Sequence, residues 1–123
     1  MLPYQRFLAW QVSHEMVQSI YRITALWPKN EMYGLTQQAR RSAYSVPMNI
    51  AEGSAKRGSR EFRRYLDISL GSLSELSYCL LLARDLGYMT ESDWRTADEL
   101  RNRAGQLTWR MIAALNRTNS KLP

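Results

Sequence analysis

The stretch "SREFRRYLDISLGSLSELSYCLLLARDLG", Ser59–Gly87, decides the fold. Phe62, Leu66, Ser69, Leu73, Leu76, Leu80 and Ala83 recur within it at alternating intervals of four and three. That spacing collects them on one stripe of an α-helix, an a/d seam that needs partner helices to cover it. The spacing predicts a helix over 59–86, with Ser59 as its N-cap and Gly87 as the C′ residue that ends it.

Working outward, the following segment opens "TESDW", where Thr90 is placed to cap a helix whose first turn is acidic, as the backbone dipole favours. Its inner stripe reads Trp94, Ala97, Leu100, Ala104, Leu107, Met111 and Ala114, and Glu91–Arg95 and Glu99–Arg103 are spaced for surface pairs. Near the N-terminus, Trp10, Ser13, Val17, Ile20, Thr24 and Trp27 line one helical face, with Met16 and Ile23 beside it. Leu35, Ala39, Ala43, Val46 and Ile50 fit a further helix that contains Pro47, where a kink is expected because proline removes a backbone bond. Pro28, the glycines Gly53 and Gly58, and "GYMT" (Gly87–Thr90) separate the pieces. The expectation is all-α: one antiparallel up-down-up-down four-helix bundle spanning 1–123, with helices at about 4–27, 31–56, 59–86 and 90–117.

The net charge of +6 is unevenly placed. Residues 40–64 carry seven bases (Arg40, Arg41, Lys56, Arg57, Arg60, Arg63, Arg64) against two acids (Glu52, Glu61), which accounts for five of the six net charges. Arg60, Arg63 and Arg64 stand at a helix start, where cations oppose the dipole, and on a helical wheel they point away from the seam. Free N–H groups and outward guanidinium groups suit phosphate, so these seven residues are the candidate nucleic-acid-binding set. With no recognition-helix motif, zinc ligands or basic zipper, backbone and shape reading of structured RNA fits better than sequence-specific reading of DNA. Phe62 and Tyr65 read as core or its border rather than as stacking platforms.

Catalytic readings find little to stand on. His14 is the only histidine, Cys79 the only cysteine, and no Glu-x-x-His motif or phosphate-binding glycine loop is present. No catalytic residue, metal ligand or cofactor is therefore assigned. Glu52 and Glu75 could be paired for acid–base work, but with Asn49 they are better read as polar groups that set helix register. One cysteine allows no intrachain disulfide. No obvious apolar run reaches membrane-span length, and the N-terminus lacks a signal-peptide pattern, so the expected location is cytoplasmic with no membrane partner.

Four Trp, seven Tyr and six Met exceed what one small core needs. Trp27, Tyr33, Tyr44, Tyr78, Tyr88 and Trp109 cannot all be central, so an exposed aromatic patch and self-association are expected. The alternative to RNA binding is a protein-interaction scaffold that uses this patch.

Tyr33 to Leu76, "YGLTQQARRSAYSVPMNIAEGSAKRGSREFRRYLDISLGSLSEL", resembles the four-helix-bundle proteins encoded in intervening sequences of bacterial 23S ribosomal RNA genes. The matching segments are Tyr33–Leu35, Gln38–Arg41, Ser45–Gly53, Glu61–Phe62 and Gly71–Glu75. Trp10 and "ARDLGYM" (Ala83–Met89) fit as well. Ser42, where alanine is usual after the paired arginines, and the serine at position 69 depart from the pattern. The resemblance implies a closed bundle, assembly into rings of five copies, and kinship with the accessory variability proteins of diversity-generating retroelements, which work with RNA. Through the same motifs, Asn49, Glu52, Gly53 and Glu75 are implied to be structural signature positions.

Overall fold

The computed structural model describes residues 1–120, and every long element among them is a helix. Helix α1 spans Leu8–Thr24, α2 Leu35–Ser54, α3 Ser59–Asp85 and α4 Glu91–Ser120, with short 3-10 turns at Pro3–Arg6 and Lys29–Glu31. α1 packs against α2 and α4, and α3 packs against the same two, so the helices close a four-membered ring. Partners run in opposite senses across each α3 interface. Ser72 and Glu75 of α3 meet Ser45 and Gln38 of α2, while Arg63 and Arg84 meet Asn116 and Glu91 of α4.

The α3 seam faces inward as its spacing predicts. Leu66, Ser69, Leu73, Leu76, Leu80 and Ala83 are buried, joined by Met16 and Ile20 of α1 and Val46 and Ile50 of α2. Ala39, Ala43, Ala97 and Ala104 are small and fully covered, which lets the neighbouring helices approach closely. Buried hydroxyls are satisfied without disrupting this packing. Ser13, Thr24 and Thr108 donate to the carbonyls of Ala9, Ile20 and Ala104 one turn earlier on their own helices. Ser69 instead donates across the interface to the Val46 carbonyl at 3.0 Å.

Helix ends follow local chemistry at two of the three predicted caps. The Gly87 N–H reaches the Arg84 carbonyl at 3.0 Å and the Tyr88 N–H reaches the Ala83 carbonyl at 2.9 Å, with Gly87 at φ 78°, so α3 closes in a Schellman motif. The Thr90 hydroxyl accepts the Asp93 N–H at 3.0 Å and caps α4. Ser59 differs from expectation, because it is already the first helical residue. The N-cap is Gly58, whose φ of 83° a serine would adopt only with strain.

Three further differences have physical causes. Before α1, the chain makes a separate 3-10 turn, and extended Phe7 swings its ring to 6.0 Å from that of Phe62. α2 starts later than predicted because the Glu31 carboxylate, after Pro28, accepts the Leu35 N–H at 3.2 Å and fixes the start there. In α4, Ala114 is exposed, while Thr108 and Ile112 are buried. A 3.5-residue stripe slips about 20° per heptad around a helix of 3.6 residues per turn, so the inner face has moved on by the third heptad. α2 runs as a single helix through Pro47, whose ring is buried.

Composition and length alone would let α3 cross a bilayer, at a mean hydropathy of 1.3. That apolar content is explained by the bundle, since its leucines are buried in the core where α3 packs on α2 and α4, and Asp67 and Glu75 interrupt the outer face.

Candidate nucleic-acid interface

The turn after Ser54 carries Lys56 and Arg57 into solvent, and Gly58 redirects the chain into α3 so that Arg60 is exposed on its first turn. Arg63, half-buried, donates from Nη1 to Asn116 Oδ1 at 2.9 Å and so ties the start of α3 to the end of α4. Arg64 meets Glu61 one turn back, at 3.3 and 3.4 Å. Hydrogen bonding to Glu61, then its charge, raises the pKa of the Arg64 guanidinium further and keeps it protonated. Arg60, Glu61, Arg63, Arg64 and Asp67 frame an open hollow of about 470 Å³.

The cluster is therefore less naked than its sequence suggests. Arg64 has a carboxylate partner, and Asp67, three residues on, adds a second acid to the same hollow. The Arg64–Glu61 pair is exposed on both sides, a geometry in which ion pairs are weak and a phosphate can compete for the guanidinium. Tyr65 organises the cluster in a way the sequence did not reveal. Lys56 Nζ lies 5.5 Å and Arg64 Cζ 4.7 Å from its ring centroid, so one aromatic ring gathers two cations.

Arg40 does not belong to this group. Its Nε donates to Thr24 Oγ1 at 2.8 Å, and its Cζ sits 4.6 Å from the Tyr21 ring centroid, so it fastens α2 to the end of α1. Arg41 is exposed on the next position of α2. Ser54 lies thirteen positions further along the helix, about 20 Å along the axis. The seven bases consequently divide into a turn-centred group (Lys56, Arg57, Arg60, Arg63, Arg64) and a distant Arg40–Arg41 pair.

The signature residues lie along the α2–α3 seam. Asn49 Nδ2 donates to the Ser45 carbonyl at 2.8 Å and to Ser45 Oγ at 3.0 Å, and Ser45 Oγ is 2.8 Å from Ser72 Oγ. Gln38 Nε2 donates to Glu75. Gly53 is covered by Phe62 and Tyr65. Glu52 is exposed, fourteen residues along α2 from the Gln38 that holds Glu75, again about 20 Å. That separation removes the paired-carboxylate arrangement.

Other titratable groups serve the scaffold. Burial pushes the Cys79 thiol up from its ordinary pKa, and the charge of Glu75 adds to the shift. His14 is exposed and stacks on Trp10, with ring centroids 5.0 Å apart. No cluster of three or more His, Cys, Asp or Glu side chains suited to a metal ion exists among the described residues.

A bundle with these seam residues is what family comparison identifies. The model of the 23S rRNA-intervening sequence protein family matches residues 5–110. The chain belongs to that family. The match takes in α1, α2, α3, the first two thirds of α4 and every candidate residue named above. A crystal structure from Bacteroides thetaiotaomicron VPI-5482, described as a protein of unknown function from the S23 ribosomal protein family, is similar in fold. Its TM-score is 0.78 at 22% identity, over 85% of this chain and 98% of that one. None of the curated proteins compared matches the chain. Within the 23S rRNA-intervening sequence protein fold, then, the turn after α2 presents the basic group and the α2–α3 seam holds it in place.

Proposed function

We propose that this chain is a non-enzymatic, self-associating protein that grips the phosphate backbone of structured RNA through the cations around the α2–α3 turn. One observation carries this reading. Arg57 and Arg60 are exposed and form no ion pair among the described residues, and neither does Lys56. Elsewhere Arg101, Arg84 and Arg95 meet Asp98, Asp85 and Glu91 at 2.8, 3.2 and 3.8 Å. Arg22, Arg41, Arg103 and Arg110 form no ion pair among the described residues, so it is the crowding of unpaired cations at one turn that sets the α2–α3 turn apart. The N-cap Gly58 has no side chain to cap α3, and the positive end of the helix dipole adds to the field of these cations. Phosphate contacts of this kind position a nucleic acid without reading its bases.

Exposed aromatics support self-association. Tyr78 is 63% and Trp109 61% exposed, and neither is needed to close the core. A ring of five, the assembly its family resemblance implies, would repeat the basic turn and let weak single contacts sum.

The test is charge reversal at solvent-facing positions. Lys56→Glu, Arg57→Glu and Arg60→Glu together should abolish binding to an RNA hairpin and leave the far-UV circular dichroism unchanged. For about five phosphates engaged per subunit, log affinity of the unaltered protein should fall with log salt at a slope of roughly −3.5 to −4.5. Binding insensitive to salt would sink the proposal. An RNA-free oligomer with no affinity for the hairpin would instead favour the scaffold reading.

A further inference from the structure

A second hollow, of about 480 Å³, opens where the end of α1 meets the first half of α2, on the far side of the molecule's basic turn along α2. Tyr21, Tyr33, Tyr44, Gln37, Arg40 and Arg41 form its wall, and no carboxylate lines it. The hollow framed by Arg60, Arg63 and Arg64 differs in this respect, since Glu61 and Asp67 share it.

Arg40 is preorganised here. Bonds to Thr24 Oγ1 and the Tyr21 carbonyl occupy two of a guanidinium's five N–H donors, and the Tyr21 ring supports its face. The rest of the charged fork is free to meet an anion in the hollow. Arg41, exposed and without an ion-pair partner among the described residues, supplies a second cation. Tyr33 is 90% and Tyr44 37% exposed, so flat aromatic faces are available beside the two charges. The Gln37 amide can both donate to and accept from a polar ring edge. Anion, aromatic plane and hydrogen-bonding edge together describe a nucleotide whose base has left its stack.

We propose that this tyrosine–arginine hollow is a binding site for a single unstacked ribonucleotide of an RNA strand. The base stacks on Tyr33 or Tyr44, and its phosphate lies between Arg40 and Arg41. The proposal rests on the RNA reading above and adds a subsite that a fully paired helix cannot fill, because its bases remain stacked. A protein partner would need to bring an acidic, aromatic segment to satisfy the same wall. The lack of apolar lining beyond the tyrosine rings and one methionine favours the nucleotide.

The experiment compares two RNAs by fluorescence anisotropy: a labelled single-stranded oligouridine of about eight nucleotides and a blunt RNA duplex. Tyr33→Ala with Tyr44→Ala should weaken the single strand roughly ten- to hundredfold and leave the duplex unchanged. Tyr33→Phe with Tyr44→Phe should retain single-strand affinity, because stacking survives. Arg41→Glu should also lose the single strand. Unchanged single-strand affinity in the double alanine variant, with duplex binding intact, overturns the hollow alone. Failure of the unaltered protein to bind the duplex overturns the backbone reading instead. An acidic tyrosine-containing peptide that occupies the hollow where the oligonucleotide does not would overturn the proposal in favour of a protein partner.

Discussion

Gly53 of α2 faces Tyr65 of α3 so closely that a Cβ added to the glycine would lie 2.7 Å from Tyr65 Cβ. It would also meet Phe62 Cδ1 at 3.0 Å and the Phe62 carbonyl at 3.3 Å. The first and last of these obstacles are fixed to the α3 backbone, so neither can swing aside. The glycine sets the spacing of the two helices next to the basic turn, and Tyr65, held at that spacing, gathers Lys56 and Arg64 on its ring.

Gly53→Ala should therefore destabilise the fold. Overpacking of this kind costs about 1–3 kcal/mol, against a gain of up to ~1 kcal/mol in helix propensity, and a net loss is expected. Gly71, also inside a helix, is the control: a Cβ there would have nothing within 4 Å, and the residue is exposed. Gly71→Ala should stabilise by about 0.5–1 kcal/mol. Urea denaturation midpoints of the two variants should thus move in opposite directions. A Gly53→Ala protein at least as stable as the unaltered one would contradict the packing argument.

Arg40 should prove a structural residue first. Arg40→Ala removes a 2.8 Å charge-assisted bond to Thr24 and the contact with Tyr21, and a loss of about 1–3 kcal/mol is expected. Arg40→Lys should not restore it, since an ammonium lacks the planar fork that meets both partners. Arg41→Ala, at the neighbouring exposed position, should leave the melting temperature nearly unchanged. Equal Tm values for the two alanine variants would show that the Arg40 contacts contribute nothing.

What the sequence disclosed, and what it hid, divides by range. The α3 seam, the Gly87 terminus and the Thr90 cap depend on residues within a few turns of one another, so spacing and residue type were enough. Contacts between distant parts of the chain were hidden. Arg63 finds Asn116 fifty-three residues away, and Arg40 finds Thr24 only because α1 and α2 pack at that level. A charge tally cannot see either bond, which is why seven cations read as one surface. Asp67 was within sight, one turn beyond Arg64, and counting acids through the whole first half of α3 would have found it. Helix α4 misled through geometry: Glu99 and Arg103 form no ion pair among the described residues, whereas Arg101 and Asp98 do, at 2.8 Å.

Tyr88 and Glu31 offer a test of long-range assembly by pH. The Tyr88 hydroxyl, in the α3–α4 turn, donates to Glu31 Oε2 at 2.9 Å, while Glu31 Oε1 accepts the Leu35 N–H that begins α2. The Glu31 carboxylate, fifty-seven residues from Tyr88, thus joins the α3–α4 turn to the start of α2. Its hydrogen bond, followed by burial and its charge, raises the Tyr88 pKa above the ordinary value of 10.0. The folded state therefore holds this proton more tightly than the unfolded chain does, and the resulting stability is fully present below pH 10. It is lost as pH rises through the higher folded-state value, when the phenolate would face a carboxylate. Tyr88→Phe should be less stable than the unaltered protein at neutral pH, and the gap between their urea midpoints should narrow once pH passes 10. Comparing the two proteins at each pH cancels the titration of the other tyrosines. A gap that stays constant into the alkaline range would mean that the Tyr88–Glu31 bond does not link the turn to α2.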